Sequence, residues 1–557
     1  MEKLDMPLQL LDAAGRPLPS AASYKAADPV SRELGTWQPR RTSADKAMLP
    51  NKELAEGRAM DLVRNNGYAR GAKQTQKDRV VGASYKLQLT PAYKLLGIDP
   101  NVASKWASDV EVRFHAYADD PDCWIDAQRK RTFSQLLREG VGTEFVQGEV
   151  FYVRQWRPSP SGYATCFLTV EPERVSNPGV TGLLGQREIL LPNGNRLRAG
   201  IEVDAWGAPV ACHIRTKHPA DFGNVMQTML GKWDRVTIWN EFGWRQVIHL
   251  FEQEHADQTR GFSAMASTLQ KLKMGDMQED LELQLSQLST AFAMYIKTPM
   301  GKQRAQEIMG TDGAEAQAAL MRMNMEAQSA YYGNAGVNIN GVKLPVLFPE
   351  DEIDVLEPHH QQANHEQFKE GMNRQNARGW DMSYEEATGD FSKTSFSSAR
   401  ASMSMGYRAV LSKRATVPNK AGAHMFRLWF DEAIVRGIIS PPPGVEYWPD
   451  RSTRMAQVFS YLTVCNFVGS GRIVIDEFKQ AKANETALGT HQATLQDILA
   501  ENGTDIEALL DGNVRTRQMF EERGLPLPEY LGGTPRGVVD PAVVAADNAE
   551  AAKQDGV

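Results

Sequence analysis

The sequence has no long apolar run and no closely spaced cysteine pair. No window of its 557 residues approaches the roughly eighteen consecutive apolar residues of a membrane-spanning helix. The first residues, 1–6, lack a basic flank followed by an apolar run. None of the four cysteines forms a Cys-x-x-Cys pair of the kind that binds zinc. We therefore expect no membrane contact, no secretion signal and a reduced, cytosolic environment.

Motifs of the common enzyme classes are missing too. The nearest approach to a phosphate-binding loop, at Gly301-Lys302, lacks the upstream glycine and the hydroxyl residue, so we predict no ATPase. His359, His360 and His365 are spaced by one and five positions, which does not bring two imidazoles onto one helical face. No Gly-x-Ser-x-Gly elbow supports a serine hydrolase. We expect no catalytic residue, no metal and no cofactor.

Charge is distributed unevenly along the chain. With 62 basic and 69 acidic residues the net charge is −7, the wrong sign for a protein that holds nucleic acid tightly. One segment, 393–427, contains no acidic residue, and Pro418 is expected to interrupt its helical pattern. Its basic residues are Lys393, Arg400, Arg408, Lys413, Arg414, Lys420 and Arg427. Charge bias alone leaves two interpretations open, an amphipathic surface helix and a phosphate-contacting segment.

Hydrophobic periodicity separates helical from β-rich parts. Residues 1–55 mix proline, serine, glycine and charges without a period, which predicts an extended surface arm. Residues 110–262 contain short β-rich runs and a hairpin signal at Asn193-Gly194. A helical period then predicts one helix over 263–297, about 50 Å long, and the run 458–464 is β-like or buried. The predicted fold class is α+β with a mostly antiparallel sheet.

Several stretches resemble, in the same order, segments of the lambda-type family of phage portal proteins. The matching stretches are 58–69, 126–133, 146–151, 247–251, 257–261, 382–386, 389–392 and 395–402. The most specific match is the last group, which contains Ser383-Tyr384-Glu385-Glu386 and the serine-rich run around Arg400. The resemblance covers nearly the whole chain and implies a ring-forming subunit, usually in twelve copies.

The resemblance also implies a division into the parts of a portal subunit: an α/β wing, long stem helices, a clip insert and a helical crown. The expected boundaries are 1–55 for the N-terminal arm, 56–262 for N-terminal helices and wing, 263–298 for a stem helix, 299–357 for the clip, 358–386 for a second stem helix, 387–439 for a tunnel loop and following long helix, 440–476 for a return to the wing, 477–530 for the crown and 531–557 for a loose tail.

What the resemblance implies for function is a DNA conduit at one capsid vertex, present in the virion and, during assembly, in the host cytoplasm. Expected partners are further copies of the chain, the terminase large subunit, head-completion or adaptor proteins, major capsid and scaffold proteins, and double-stranded DNA that passes through without sequence recognition. The DNA-facing tunnel loop would contain Asp390, Phe391, Ser392, Lys393 and Thr394; the candidate phosphate contacts are Lys393, Arg400 and Arg408; and the candidate partner-docking residues of the clip are Glu350, Asp351 and Glu352.

Two alternatives of other classes stay open at this point. One is a metal-dependent nuclease that uses carboxylates such as Asp119 and Glu173, although surface turns are strongly favoured for those residues. The other is a capsid or scaffold protein, which should not form closed rings with a central hole.

Overall fold

The computed structural model describes residues 36–37, 39–179, 188–221, 231–291, 295–297, 362–447, 452–472, 477–504 and 506–532, together with short stretches between 319 and 354. The chain divides into two compact units. The first takes in Met1–Met60, Gln76–Ala264 and Val410–Val557, and the second takes in Asp61–Thr75 and Met265–Ala409.

Helices dominate both ends of the described chain. Their bounds are α1 Ala44–Asn65, α2 Gly67–Val80, α3 Tyr93–Leu96, α4 Pro100–Ala118, α5 Phe133–Gln147, α6 Leu269–Ala291, α7 Gln362–Gly379, α8 Tyr384–Thr388, α9 Phe396–Thr416, α10 Pro418–Val435, α11 Thr453–Leu462, α12 Glu477–Gly489, α13 Leu495–Glu501 and α14 Ile506–Glu522.

Every described strand pair is antiparallel, as the sequence predicts. The bounds are β1 Lys86–Leu89, β2 Glu149–Trp156, β3 Thr165–Val170, β4 Glu188–Leu190, β5 Arg196–Arg198, β6 Ile201–Val203, β7 Pro209–Arg215, β8 Trp233–Thr237, β9 Val247–Phe251, β10 Tyr295–Lys297, β11 Val337–Ile339, β12 Val342–Leu344, β13 Glu352–Asp354 and β14 Cys465–Val468. The sheets have the orders β3-β2-β9, β4-β5-β6-β7-β8, β1-β14, β10-β13 and β11-β12.

In the first unit the two larger sheets share one apolar core. Its members come from both sheets and include Phe151 and Val153 of β2, Val203 of β6 and Ile214 of β7, all nearly inaccessible to solvent. The hairpin signal is confirmed: Asn193 and its neighbours connect β4 to β5, and Ile189 pairs with Leu197.

A second core in this unit is aromatic and joins three helices. Phe114 of α4 lies 5.3 Å from Phe133 of α5, 5.4 Å from Phe426 and 5.1 Å from Trp429, both of α10. The interplanar angles run from 68° to 87°, the edge-to-face geometry that aromatic quadrupoles favour. Pro418 is the first residue of α10, and its missing N–H separates that helix from α9, as predicted.

The structure corrects three sequence expectations. The arm is not extended over its whole length, because α1 begins at Ala44 and buries Leu49 even with Pro50 inside the helix. The predicted helix 263–297 is shorter: α6 covers Leu269–Ala291, about 35 Å, and β10 follows it, paired with β13. The run 458–464 belongs largely to α11, whose serine cap, Ser452, accepts a hydrogen bond from Met455 N.

The second unit contains α6 and α7, the expected stem helices, together with α8 and most of α9. Lys369 of α7 is 2.8 Å from Glu279 of α6, and Trp380, fully buried, donates to Thr268 Oγ1 at 2.9 Å. Of the clip residues, Glu350 and Asp351 lie outside the described residues, and Glu352 begins β13.

Candidate functional site

The loop between α8 and α9 is held by hydrogen bonds from its own polar groups. Ser383 and Glu386 form a reciprocal capping box at the start of α8. The helix ends at Gly389, whose φ of 73° lies in the left-handed region that glycine tolerates. Asp390 Oδ1 then accepts from Ser392 N at 2.9 Å, a turn that an aspartate side chain closes locally. The predicted tunnel loop is therefore a defined turn.

Glu385 ties this loop to the start of α9. Its two carboxylate oxygens accept from Thr394 Oγ1 at 3.1 Å and from Ser402 Oγ at 3.0 Å. Partial burial raises the pKa of Glu385, but hydrogen bonds, including those from Ser402 and Thr394, outweigh it and hold the pKa below its ordinary value. An ionised Glu385 at neutral pH therefore keeps both ends of the loop in place.

Lys393 and Phe391 are the exposed residues of the loop with the most distinctive chemistry. The Phe391 ring is 45% exposed. The Lys393 ammonium lies 3.1 Å from Glu366 Oε1 and 3.4 Å from Glu370 Oε2, both on α7. The hydrogen bond and charge of Glu366, followed by those of Glu370, raise the pKa of Lys393. The cation is thus fully charged and already has two carboxylate partners.

The remaining cations of the basic segment divide by burial. Arg400 and Arg408 of α9 are exposed, as is Lys420 of α10. Lys413 and Arg414 are only 8% and 5% exposed. Neither interpretation of the basic segment, a surface helix or a phosphate-contacting segment, therefore applies to that pair.

Burial gives Lys413 and Arg414 a structural role in the first unit. Arg414 Nε donates to Val80 O at 2.7 Å, and one of its Nη atoms donates to Arg79 O at 3.0 Å, at the end of α2. The Lys413 ammonium lies 3.9 Å from Glu144 Oε2 of α5. Cations that satisfy helix carbonyls and a buried carboxylate stabilise packing and are not available to phosphate.

The carboxylates considered for a nuclease are engaged elsewhere. Asp119 Oδ2 is 2.8 Å from His115 Nδ1 at the end of α4, and Glu173 contacts His218. Within the part of the chain that the structure describes, no group of three or more histidine, cysteine, aspartate or glutamate residues could hold a metal ion. His359 and His360 lie outside the described residues.

Sequence analysis missed a buried charge network in the first unit. Glu149 is fully buried at the start of β2, and Arg260 reaches its carboxylate with two nitrogen atoms, at distances from 2.5 to 3.0 Å. Lys52 lies 3.1 Å from Glu149 and 2.5 Å from Glu56, and His249 Nε2 lies 2.8 Å from Glu149. Burial raises the pKa of Glu149, but the Arg260 and Lys52 charges bring it well below its ordinary value.

This network explains two of the sequence stretches that carry the family resemblance. The run 146–151 supplies Glu149, and the run 257–261 supplies Arg260, 111 positions later. Arg260 also donates to Val175 O at 2.9 Å and Pro172 O at 3.1 Å, so the same side chain fixes the segment that follows β3. In the sequence, Glu149 and Arg260 lie in separate motifs, and neither motif identifies the other as its partner. Only the fold brings the two side chains together.

Among the described residues, no helix is both long and apolar enough to cross a membrane.

Comparison with known proteins defines the class. The portal protein of Escherichia phage N15 is 30% identical over 501 residues, covering 89% of this chain and 90% of the relative. Portal protein B of Escherichia phage lambda is 30% identical over 500 residues, with the same coverage. A solved chain in the neck of the native gene transfer agent particle aligns with 82% of this chain and 99% of its own length, at 13% identity and a TM-score of 0.38.

The two phage relatives are portal proteins. The family model described as phage portal protein, lambda family, matches residues 30–414, and the chain therefore belongs to the lambda family of phage portal proteins. It is a structural protein of the portal vertex of the virion that serves DNA packaging, and it is not an enzyme. The nuclease alternative is set aside on this finding.

Proposed function

We propose that copies of this chain, usually twelve, close into a ring around a channel for double-stranded DNA, and that Asp390, Phe391, Ser392, Lys393 and Thr394 face that channel. The observation that carries the proposal is the short, internally hydrogen-bonded turn between α8 and α9, whose cation is held by Glu366 and Glu370. Membership of the portal family supports the ring.

The charge of the chain and the ion pairs of the loop favour a channel through which DNA slides over a site that binds DNA tightly. Twelve copies at −7 each carry about −84, so duplex DNA is repelled on the whole and adheres only where cations are locally available. A phosphate that approaches Lys393 competes with two carboxylates, and ion pairs at exposed positions are weak. Such a contact is weak enough to be made and broken as DNA moves. Arg400 and Arg408 offer further weak contacts.

The proposed partners follow from the same role. The terminase large subunit would supply ATP hydrolysis during filling, and head-completion or adaptor proteins would then dock, with Glu350, Asp351 and Glu352 as the docking carboxylates of the clip. The ring would also nucleate the procapsid with scaffold and major capsid proteins, in the host cytoplasm.

Negative-stain images of the purified chain test the ring. The expected particles are closed rings with a central hole. A compact monomer under all solution conditions, or assemblies without a hollow axis, would overturn the proposal.

The loop is tested separately with Lys393→Ala. Rings should form normally, because the ammonium is exposed, while packaging or retention of DNA changes. Lys482→Ala, which removes an exposed lysine of α12, is the matched control. Unchanged packaging and retention in Lys393→Ala rings would remove Lys393 from the channel surface.

A further inference from the structure

A cavity of about 370 Å³ opens in the first unit, beside the turn between β8 and β9. Helices α10 and α11 form its other walls. Its aromatic and basic lining residues are Trp239, Phe242, Trp244, Arg245, His424, Arg427, Tyr447 and Phe459. The volume is that of a small ligand site or a pocket for one or two side chains.

The two arginines of this cavity have unused hydrogen-bonding capacity. Arg245 donates from Nη1 to His424 Nε2 at 2.9 Å, but its Nε is buried and has no hydrogen-bond partner in the described structure. The Nε of Arg427 is likewise buried without a partner there. A buried donor without an acceptor is destabilising, so an oxygen acceptor that enters here is favoured.

The charge around the cavity is positive. Among the described residues that line the cavity, none is an aspartate or a glutamate. Burial, followed by the charges of Arg245, Arg427 and Lys420, lowers the pKa of His424 to about 4. The charges of these three residues are positive, and the histidine itself is neutral at neutral pH.

Aromatic side chains give the cavity an apolar wall. Trp239 at its mouth is 52% exposed and stacks under the Arg245 guanidinium at 5.1 Å. Deeper in, the rings of Trp244 and Phe459 meet edge to face at 5.0 Å. Tryptophan and arginine are both enriched at the hot spots of protein interfaces.

We propose that this cavity docks an acidic segment of a partner protein, with a carboxylate between Arg245 and Arg427 and a neighbouring aromatic or branched aliphatic side chain against Trp239. The proposal rests on the proposed function, in which the ring binds other proteins during assembly. It specifies the chemistry of the segment that one such partner would insert. A protein segment fits better than DNA, because the guanidinium nitrogens are recessed. A side-chain carboxylate can enter such a recess, whereas the phosphates of a stiff duplex stay at its mouth.

The test is selection from a library of random dodecapeptides on the purified full-length chain. Enriched peptides should carry an aspartate or glutamate beside an aromatic or branched aliphatic residue. Their affinity should fall at least tenfold for Arg427→Gln and for Trp239→Ala, and should be unchanged for Lys482→Gln, the control on α12. Trp239 is half exposed, so its truncation keeps a readout if the arginine variant fails to fold.

The other outcomes overturn the proposal. They are the absence of enriched peptides, enrichment without acidic residues, an affinity for both cavity variants equal to that for the parent, and displacement of the peptide by oligothymidylate, which would indicate a site for single-stranded nucleic acid. If the parent chain forms intact rings in negative stain but binds no acidic peptide, this inference alone is refuted, whereas the absence of rings refutes the proposed function.

Discussion

Replacing Glu56 by glutamine should make the protein more stable in alkaline solution and leave it nearly unchanged in acid. Glu56 is 2% exposed, on the buried side of α1, with its carboxylate 2.5 Å from the Lys52 ammonium. Burial raises the pKa of Glu56 from 4.5 to about 7, and the attraction of Lys52 does not offset it. Glutamine has the shape of the protonated acid and keeps an oxygen for Lys52.

The magnitude follows from the two pKa values. Because the folded state holds the Glu56 proton more tightly than the unfolded chain, the stabilising contribution is fully present below pH 4.5 and is lost as the pH rises through 7. Between pH 5 and pH 8.5 the loss amounts to about 2.5 kcal/mol. The Glu56→Gln variant lacks this loss. The free energy of unfolding of the variant minus that of the parent should therefore increase by about 2.5 kcal/mol between pH 5 and pH 8.5.

Urea unfolding of parent and variant at several pH values measures this difference. Titration of the remaining groups largely cancels in the subtraction, and Glu485→Gln, on an exposed position of α12, should show no such trend. Infrared spectra offer a second readout, since a protonated carboxyl band at pH 6 should disappear in Glu56→Gln. A stability difference that is constant with pH would mean that Glu56 is ionised throughout and paired with Lys52, which refutes the reasoning.

Three further predictions concern the loop and the buried network. Glu366→Gln leaves Lys393 with one carboxylate partner, so rings should retain DNA more strongly in a release assay, and faster release would contradict the proposed competition. Arg260→Met removes the main cation partner of the buried Glu149 carboxylate and should lower the free energy of unfolding by denaturant by about 3–5 kcal/mol. A loss under about 1 kcal/mol would mean that Lys52 alone compensates the charge of Glu149. Gly261→Ala should destabilise by about 2 kcal/mol or more, because the added Cβ would lie 2.0 Å from Gly148 O; unchanged stability would show that this turn can move.

Local patterns predicted the elements whose causes are local. The β4–β5 hairpin depends on a turn at Asn193-Gly194, and the separation of α9 from α10 depends on the missing N–H of Pro418. The start of α1 was missed because Pro50 and the charged residues around it read as a surface segment. Its burial depends on Lys52, which donates to Gly261 O at 2.7 Å across 209 positions of sequence. No local window contains that partner.

The candidate site likewise has one part that the local sequence predicts and one part that depends on residues distant in sequence. The loop around Asp390 could be located from its turn residues and from the resemblance, because Gly389 and Asp390 close the turn locally. The partners of Lys393 could not be predicted from the sequence, because Glu366 and Glu370 lie on another helix, 27 and 23 positions away. Whether this loop faces DNA stays a prediction.

The basic segment is where charge counting and structure disagree most. Of its seven cations, Lys413 and Arg414 are buried against α2 and α5, and Arg427 lines a cavity with an aromatic wall. The same bias in sequence therefore serves packing and the proposed docking cavity, and it leaves Lys393, Arg400, Arg408 and Lys420 exposed. In a channel that lets DNA slide, each cation removed from the surface is one fewer that can release counterions from DNA, and the grip on DNA weakens accordingly.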